Sequence, residues 1–326
     1  MQLYRAETPG PVKDSKMTPR IADTAKHLWY IYLTLTICCG VAYWLAGMNW
    51  FDALCHAFST VAIGGFSNYD ASIGYFDSPW INIVCVVFLW IAALNFALHY
   101  AAASGRTLMG YFYDPELRAF FLIQFVLVAV YFFILMKFNW FDNAGIALDQ
   151  ALVQSVSFST TAGFATTDFS HWPAFLPIML IFSSFIGGCA GSTGGGLKVV
   201  RVLLLYLQGK REVDRLIHPK AVYTVKLGDR AVPDKVVEAV WGFFSAYAMI
   251  FVVIMVCLIA TGMDDVSAFT ATAATLNNLG PGLGTVSGSF ADVSDVGKWL
   301  LILAMLFGRL EVFSLLVLFS PTFWRS

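Results

Sequence analysis

Hydrophobic and polar positions along this chain follow one pattern on two length scales. Long apolar runs occupy about 27–46, 79–103, 118–138, 174–206, 236–260 and 296–320. Each reaches the roughly 20 residues that a helix needs to cross a bilayer. Within each successive pair lies a shorter, milder segment: Phe51–Val61, Asn143–Ser159 and Asp264–Leu276. These segments are too short and too polar to span. An uncharged Gly-centred stretch follows each at once: Ala62-Ile63-Gly64-Gly65-Phe66, Thr160-Thr161-Ala162-Gly163-Phe164 and Asn277-Asn278-Leu279-Gly280-Pro281. The pattern predicts a unit of helix, short re-entrant helix, Gly loop and helix, occurring three times. Gly65, Gly163 and Gly280 are separated by 98 and 117 residues. An internal repeat constrains architecture more firmly than local propensity does. The expected fold is an all-α polytopic membrane protein with three tandem helix–pore loop–helix repeats, at 27–103, 104–206 and 236–326. Residues 1–26 and 207–235 read as cytoplasmic connecting segments.

Composition agrees. Hydrophobic residues make up 58% of the chain and charged residues 13%, against roughly 25% charged in a soluble domain. Nothing in it calls for nucleic acid; the lipid bilayer is the expected surrounding. The six cysteines show no CxxC pair and read as small apolar residues of a membrane core. The first 20 residues lack the apolar core of a signal peptide.

Charge placement orients the chain. Of 20 Lys and Arg, five lie in residues 1–26, two in 104–118 and nine in 198–235, whereas 47–78, 139–173 and 261–297 hold none. The positive-inside rule places both termini and the basic loops in the cytoplasm. The opposite side carries Asp52, Asp70, Asp77, Asp142, Asp149, Asp168, Asp264, Asp265, Asp292 and Asp295. Acidic groups around a pore mouth concentrate cations; Asp is equally a helix-capping residue.

A re-entrant helix directs the negative end of its dipole toward the membrane centre, which favours a cation just beyond it. The Gly that follows permits backbone conformations closed to other residues, and rings of carbonyls can replace an ion's hydration shell. Ser59, Thr60, Ser157, Ser159, Thr160, Thr161, Asn277 and Asn278 suit a wet lining without fixed charge. Helix breaks in a transporter core are the alternative reading of the same glycines.

Gly187–Gly196 (GGCAGSTGGG) has Gly at six of ten positions within a would-be span. At roughly 1 kcal/mol per Gly relative to Ala, the helix should break there. A phosphate-binding P-loop is excluded because Lys198 precedes Val199. A nucleophile elbow is excluded because Ala190 stands where its first Gly belongs. A packing kink between close helices remains open. Arg309 lies inside the last run, where a charge costs roughly 3 kcal/mol on insertion scales. It calls for a protein or water partner, and Glu311 lies on another face of the helix. An interhelix salt bridge would satisfy Arg309. His56 and His99 read as hydrogen-bonded packing residues.

The segments HAFSTVAIGGFS (56–67), SFSTTAGFATTDF (157–169), GGCAGSTGGGLKVVR (187–201) and ATLNNLGPGLG (274–284) resemble the Trk/Ktr/HKT superfamily of potassium transporters. The resemblance covers essentially the whole chain. It implies uptake of K+ across a bacterial inner membrane, with no enzymatic step and no bound cofactor. By motif position, the ion would sit on backbone carbonyls of Ile63, Gly64 and Gly65, of Thr161, Ala162 and Gly163, and of Asn278, Leu279 and Gly280. Gly187, Gly188, Gly191, Gly194, Gly195 and Gly196 would form a gate beneath this filter. Arg309 would act with that gate as an electrostatic barrier, and Lys198 and Arg201 would anchor the cytoplasmic end. The resemblance further implies a homodimer and a cytoplasmic nucleotide-binding, TrkA-like regulatory subunit. The basic stretch 209–235 would receive that regulator, or alternatively meet anionic lipid.

The family has four repeats, against three read here. The expectation is a chain lacking a leading repeat and inactive unless another segment completes it. A membrane enzyme lacks any nucleophile, metal cluster or acid–base pair at usable spacing, whereas a non-conducting structural or regulatory role stays open.

Overall fold

The structure, a computed structural model, describes residues 21–105, 108–173, 175–310, 312–318, 320 and 323–325. The expected connector 1–26 therefore lies mostly outside the described residues, and its last part is helical. Helix α1, Ile21–Leu45, begins inside it.

Among the described residues, three helices are long and apolar enough to cross a membrane: α1, α6 (Pro115–Lys137) and α10 (Asp234–Ala260). Their apolar stretches are only 17%, 28% and 22% buried within the protein. Trp29, Leu122, Phe125, Phe133, Met249 and Val252 point outward. Apolar surface on this scale belongs against lipid.

Each of these helices leads into a short one: α2 (Trp50–Val61), α7 (Ala144–Ser159) and α11 (Asp265–Leu276). The three start the same way. Asn49 accepts from Asp52 N–H, Asn143 from Gly145 N–H, and Asp264 from Ser267 N–H. A side-chain cap supplies the partner that the first free N–H groups of a helix lack. At 12 to 16 residues and about 1.5 Å rise per residue, none of them can cross.

Three of the apolar runs are broken, the middle one at the Gly-rich segment where a break is expected. The run at 79–103 divides into α3 (Pro79–Ala93) and α4 (Phe96–Gly105), bent by 90°, with a single short turn of helix, α5 (Met109–Tyr113), before α6. Neither Gly nor Pro marks the break. Asn95 accepts Ala97 N–H through its side chain at 2.7 Å, while Phe96 N–H donates to Gly191 O at 3.1 Å. The run at 174–206 holds only α8 (Leu176–Ser183) before the chain leaves helical geometry, and α9 (Val199–Ile217) resumes beyond the Gly-rich segment. The last run divides into α12 (Asp295–Arg309) and α13 (Val312–Leu318). A small hairpin, β1 (Lys226–Leu227) with β2 (Arg230–Ala231), follows α9.

The core is built in interlocking parts. Around α1–α3, Tyr43, Ala57, Val61 and Leu89 pack with Val156, Ala162 and Phe164 of the following unit. Around α6–α8, Tyr131, Phe158 and Leu180 pack with Ala273, Leu279 and Leu283 of the one after. The first two short helices are therefore each held by their own long helix and by the next unit's turn. The hairpin's Val225, Leu227 and Val232 pack with Ala190 of the Gly-rich segment.

Candidate ion site and the loop beneath it

After each short helix the backbone takes one course. Ala62, Thr160 and Asn277 are still right-handed, with φ of −75°, −82° and −84°. The next residues, Ile63, Thr161 and Asn278, are left-handed at 53°, 69° and 55°. Two positions on, Gly65, Gly163 and Gly280 return to positive φ at 68°, 85° and 101°. A β-branched Ile in this region is an outlier, and such strain clusters at functional sites.

Hydrogen bonds repeat with the dihedrals. Ile63, Thr161 and Asn278 N–H donate to Thr60, Phe158 and Thr275 O at 3.0–3.1 Å. Gly64, Ala162 and Leu279 N–H donate to Ser59, Ser157 and Ala274 O at 2.7–2.8 Å. The donors of each turn thus fold back onto its own helix. Among the described residues, no hydrogen bond ends on the carbonyls of Ile63, Gly64, Gly65, Thr161, Ala162, Gly163, Asn278, Leu279 or Gly280. Ile63, Thr161, Ala162 and Leu279 are buried and Gly280 is exposed; unpartnered carbonyls away from water are costly unless an ion or water meets them. At the negative end of a helix, they are suited to a cation.

The turns are also in register with one another. A Cβ on Gly65 would lie 1.9 Å from Ala162 O, and one on Gly163 would lie 2.0 Å from Leu279 O. At Gly280 a Cβ would meet nothing within 4 Å.

The Gly-rich segment lies against all three turns. Thr193 Oγ1 donates to Val61 O at 2.9 Å, and Gly195 N–H donates to Thr161 Oγ1 at 2.7 Å. Gly195 approaches Asn277 so closely that a Cβ would lie 2.1 Å from its carbonyl oxygen. The base of the segment is fastened to the surrounding helices. Cys189 N–H donates to Ala93 O at 2.8 Å, Leu197 N–H to Phe185 O at 3.0 Å, and Val199 N–H to Gly188 O at 3.0 Å. Ala190 N–H donates to the Glu116 carboxylate at 2.6 Å. Lys198 Nζ bonds Gly194 O. Arg309 Nη1 donates to Thr193 O at 3.2 Å, so a backbone carbonyl of the Gly-rich segment is one of its partners. Glu311 lies outside the described residues. Arg201 sits over the Phe243 ring at 4.1 Å. Arg309, Lys198 and Arg201 line a cavity of about 290 Å³ together with Tyr247 and the glycines Gly194 and Gly195.

Thr193 and Glu116 were not singled out by the sequence. Their partners are 132 and 74 residues away, and only an Asp-Pro-Glu helix start at Asp114–Glu116 hinted at the second. His56 bonds Asp52 O and Ser67 Oγ, and His99 bonds Tyr111 Oη and Ile91 O. Of the acidic residues on the Lys/Arg-free side, Asp264 and Asp168 cap helical turns. Asp52 is engaged by Asn49, Asn68 and Tyr69.

Fold and site together define a polytopic membrane protein in which three short helices each end in the same turn. The chain belongs to the TrkH family of cation transport proteins, whose sequence model matches residues 1–326. It is 66% identical over 328 residues to the Trk system potassium uptake protein TrkH of Vibrio parahaemolyticus, covering 100% of this chain and 68% of that protein. It is 60% identical over 326 residues to the TrkH protein of Escherichia coli K12, again covering 100% of this chain and 68% of the relative. The crystal structure of the potassium transporter TrkH from Vibrio parahaemolyticus superposes with a TM-score of 0.91 at 65% identity, over 95% of this chain and 66% of that one. The chain thus spans about two thirds of the length of these relatives. Matches running along the whole chain at this identity give no support to an inactive remnant, and that expectation is withdrawn.

Proposed function

We propose that this chain is a pore-forming membrane subunit of a Trk-type system that takes up potassium. The single observation carrying the proposal is the threefold recurrence of one turn. Each short helix ends in the same alternation of φ sign, with its N–H groups turned inward and its carbonyls unpartnered. Potassium is the ion named for the relatives at 60–66% identity. The carbonyls of 63–65, 161–163 and 278–280 bind the dehydrated ion, each set supplied by one repeat (27–103, 104–206, 236–326). The segment 187–196, pressed against the helix ends, is the barrier to be displaced, and Arg309 sets a positive charge at that barrier. The basic residues of 1–26 and 207–235 lie on the cytoplasmic side of a bacterial inner membrane. There 209–235 receives a nucleotide-binding, TrkA-like regulator, and the working unit is a dimer.

The test is growth of a potassium-uptake-deficient bacterium at limiting K+, with ion uptake measured in parallel. Rescue by the chain, with a lowered K+ to Na+ uptake ratio in Gly163→Ser, supports the reading. Unchanged ion ratios in a folded Gly163→Ser protein remove these carbonyls from the filter.

A further inference from the structure

Each of the three spanning helices carries one buried polar side chain that bonds the end of the short helix following it. In α1, Tyr43 Oη shares a hydrogen bond with Thr60 Oγ1 at 2.8 Å. In α6, Gln124 Nε2 donates to Ser159 Oγ at 2.7 Å, and Gln124 Oε1 lies 3.0 Å from the same hydroxyl. In α10, Tyr247 Oη donates to Asn277 Oδ1 at 2.5 Å, and Asn277 Nδ2 continues to Ser184 Oγ at 2.8 Å. The three partners Thr60, Ser159 and Asn277 are fully buried. They stand three, two and one residues before the left-handed residues Ile63, Thr161 and Asn278.

Burying a hydroxyl or amide in an apolar helix is unfavourable unless it is bonded, and packing alone would be served by Phe or Leu. Gln124 is the one polar residue between Arg118 and Tyr131 in α6. One such group per long helix, each bonded to the C-terminal end of its unit's short helix, is more than packing requires. We infer that Tyr43, Gln124 and Tyr247 are positioning residues for ion selectivity, fixing how far each turn stands from the ion path. They touch no ion; they act through Thr60, Ser159 and Asn277. Selection among cations depends on where carbonyl dipoles stand and how firmly they are held. A turn released from its spanning helix can close on a smaller ion. The inference rests on the filter reading above and adds to it the origin of selectivity.

The experiment measures K+, Rb+ and Na+ uptake by Tyr43→Phe, Gln124→Leu and Tyr247→Phe in the full chain, in cells lacking their own potassium uptake. Loss of one such bond, net about 0.5–1.5 kcal/mol, corresponds to a roughly two- to twelvefold fall in the K+ to Na+ ratio. Membrane yield and Rb+ uptake should change far less. Thr60→Val and Ser159→Ala remove two of the bonds from the partner side and should reproduce the shifts. Paired with Tyr43→Phe or Gln124→Leu they should add little to either single change. Folded variants with unaltered ratios, alongside a Gly163→Ser control whose ratio does change, would overturn this inference and leave the filter reading standing. An unaltered Gly163→Ser ratio would instead overturn the filter reading itself. If Tyr43→Phe or Gln124→Leu fails to accumulate, its partner-side variant decides; if Tyr247→Phe fails, the other two pairs decide.

Discussion

Gly65 and Ala162 meet backbone to backbone, with room for a hydrogen on Gly65 and for nothing larger. A Cβ there would sit 1.9 Å from Ala162 O, and Gly163 stands in the same relation to Leu279. Gly65→Ala and Gly163→Ala must therefore separate two turns as well as strain a left-handed backbone. Gly280→Ala meets no atom within 4 Å, leaving the left-handed penalty of about 1–2 kcal/mol. The expected order of damage places Gly65 and Gly163 well ahead of Gly280. Thermal unfolding of the detergent-extracted variants checks it, and equal losses at all three would contradict it.

Glu116 anchors the Gly-rich segment by accepting Ala190 N–H. A hydrogen bond to a charged group is worth about 1.5–3 kcal/mol. Glu116→Ala should cost about that in stability, whereas Glu116→Gln keeps an acceptor and should cost less. Denaturant or thermal midpoints of the two variants measure the difference.

Thr193 holds the tip of the same segment to the first short helix through one hydroxyl. Thr193→Val preserves shape and removes that bond, which is worth about 0.5–1.5 kcal/mol. With 187–196 as the barrier, K+ flux should rise by about two- to twelvefold, and Thr193→Ser should stay near the parent. A fall in flux at normal membrane abundance would count against the barrier role.

Asp264 caps α11, and hydrogen bonds from the Ser267 side chain and backbone N–H hold its carboxyl below the usual carboxylate range. The folded value lies below the unfolded one. The stabilisation is therefore complete above the ordinary carboxylate pKa and fades as pH falls through the lowered value. Asp264→Asn retains a capping oxygen without the titration. Its thermal midpoint should lose the acid-side decline that this group contributes, which a pH series of melting curves detects.

The short helices were legible almost to the residue, expected from 51, 143 and 264 and found from 50, 144 and 265. Their signals are local: an Asn or Asp cap at one end and a Gly-centred turn at the other. The break in 174–206 was legible for the same reason. The bend between Ala93 and Phe96 was not, because the bond that holds it there goes to Gly191, almost a hundred residues away. The turn conformation was assigned to its glycines, yet Ile63, Thr161 and Asn278 share the positive φ. Nothing about Ile advertises that conformation; packing of the surrounding core imposes it. Thr193 and Glu116 escaped notice because a hydroxyl or carboxylate shows its partner only once the chain has folded.

Thr193, Gly194 and Gly195 rest on the ends of all three short helices, and those same ends carry the turns. One shared set of contacts makes the two regions a linked equilibrium. Whatever factor a displaced segment applies to a turn's affinity for an ion, an ion resident in the turns applies to the displacement. On the proposed reading of the turns as filter and the segment as barrier, the traversing cation is an effector as well as a cargo: species with different residence times should set different opening frequencies, whatever commands arrive from elsewhere.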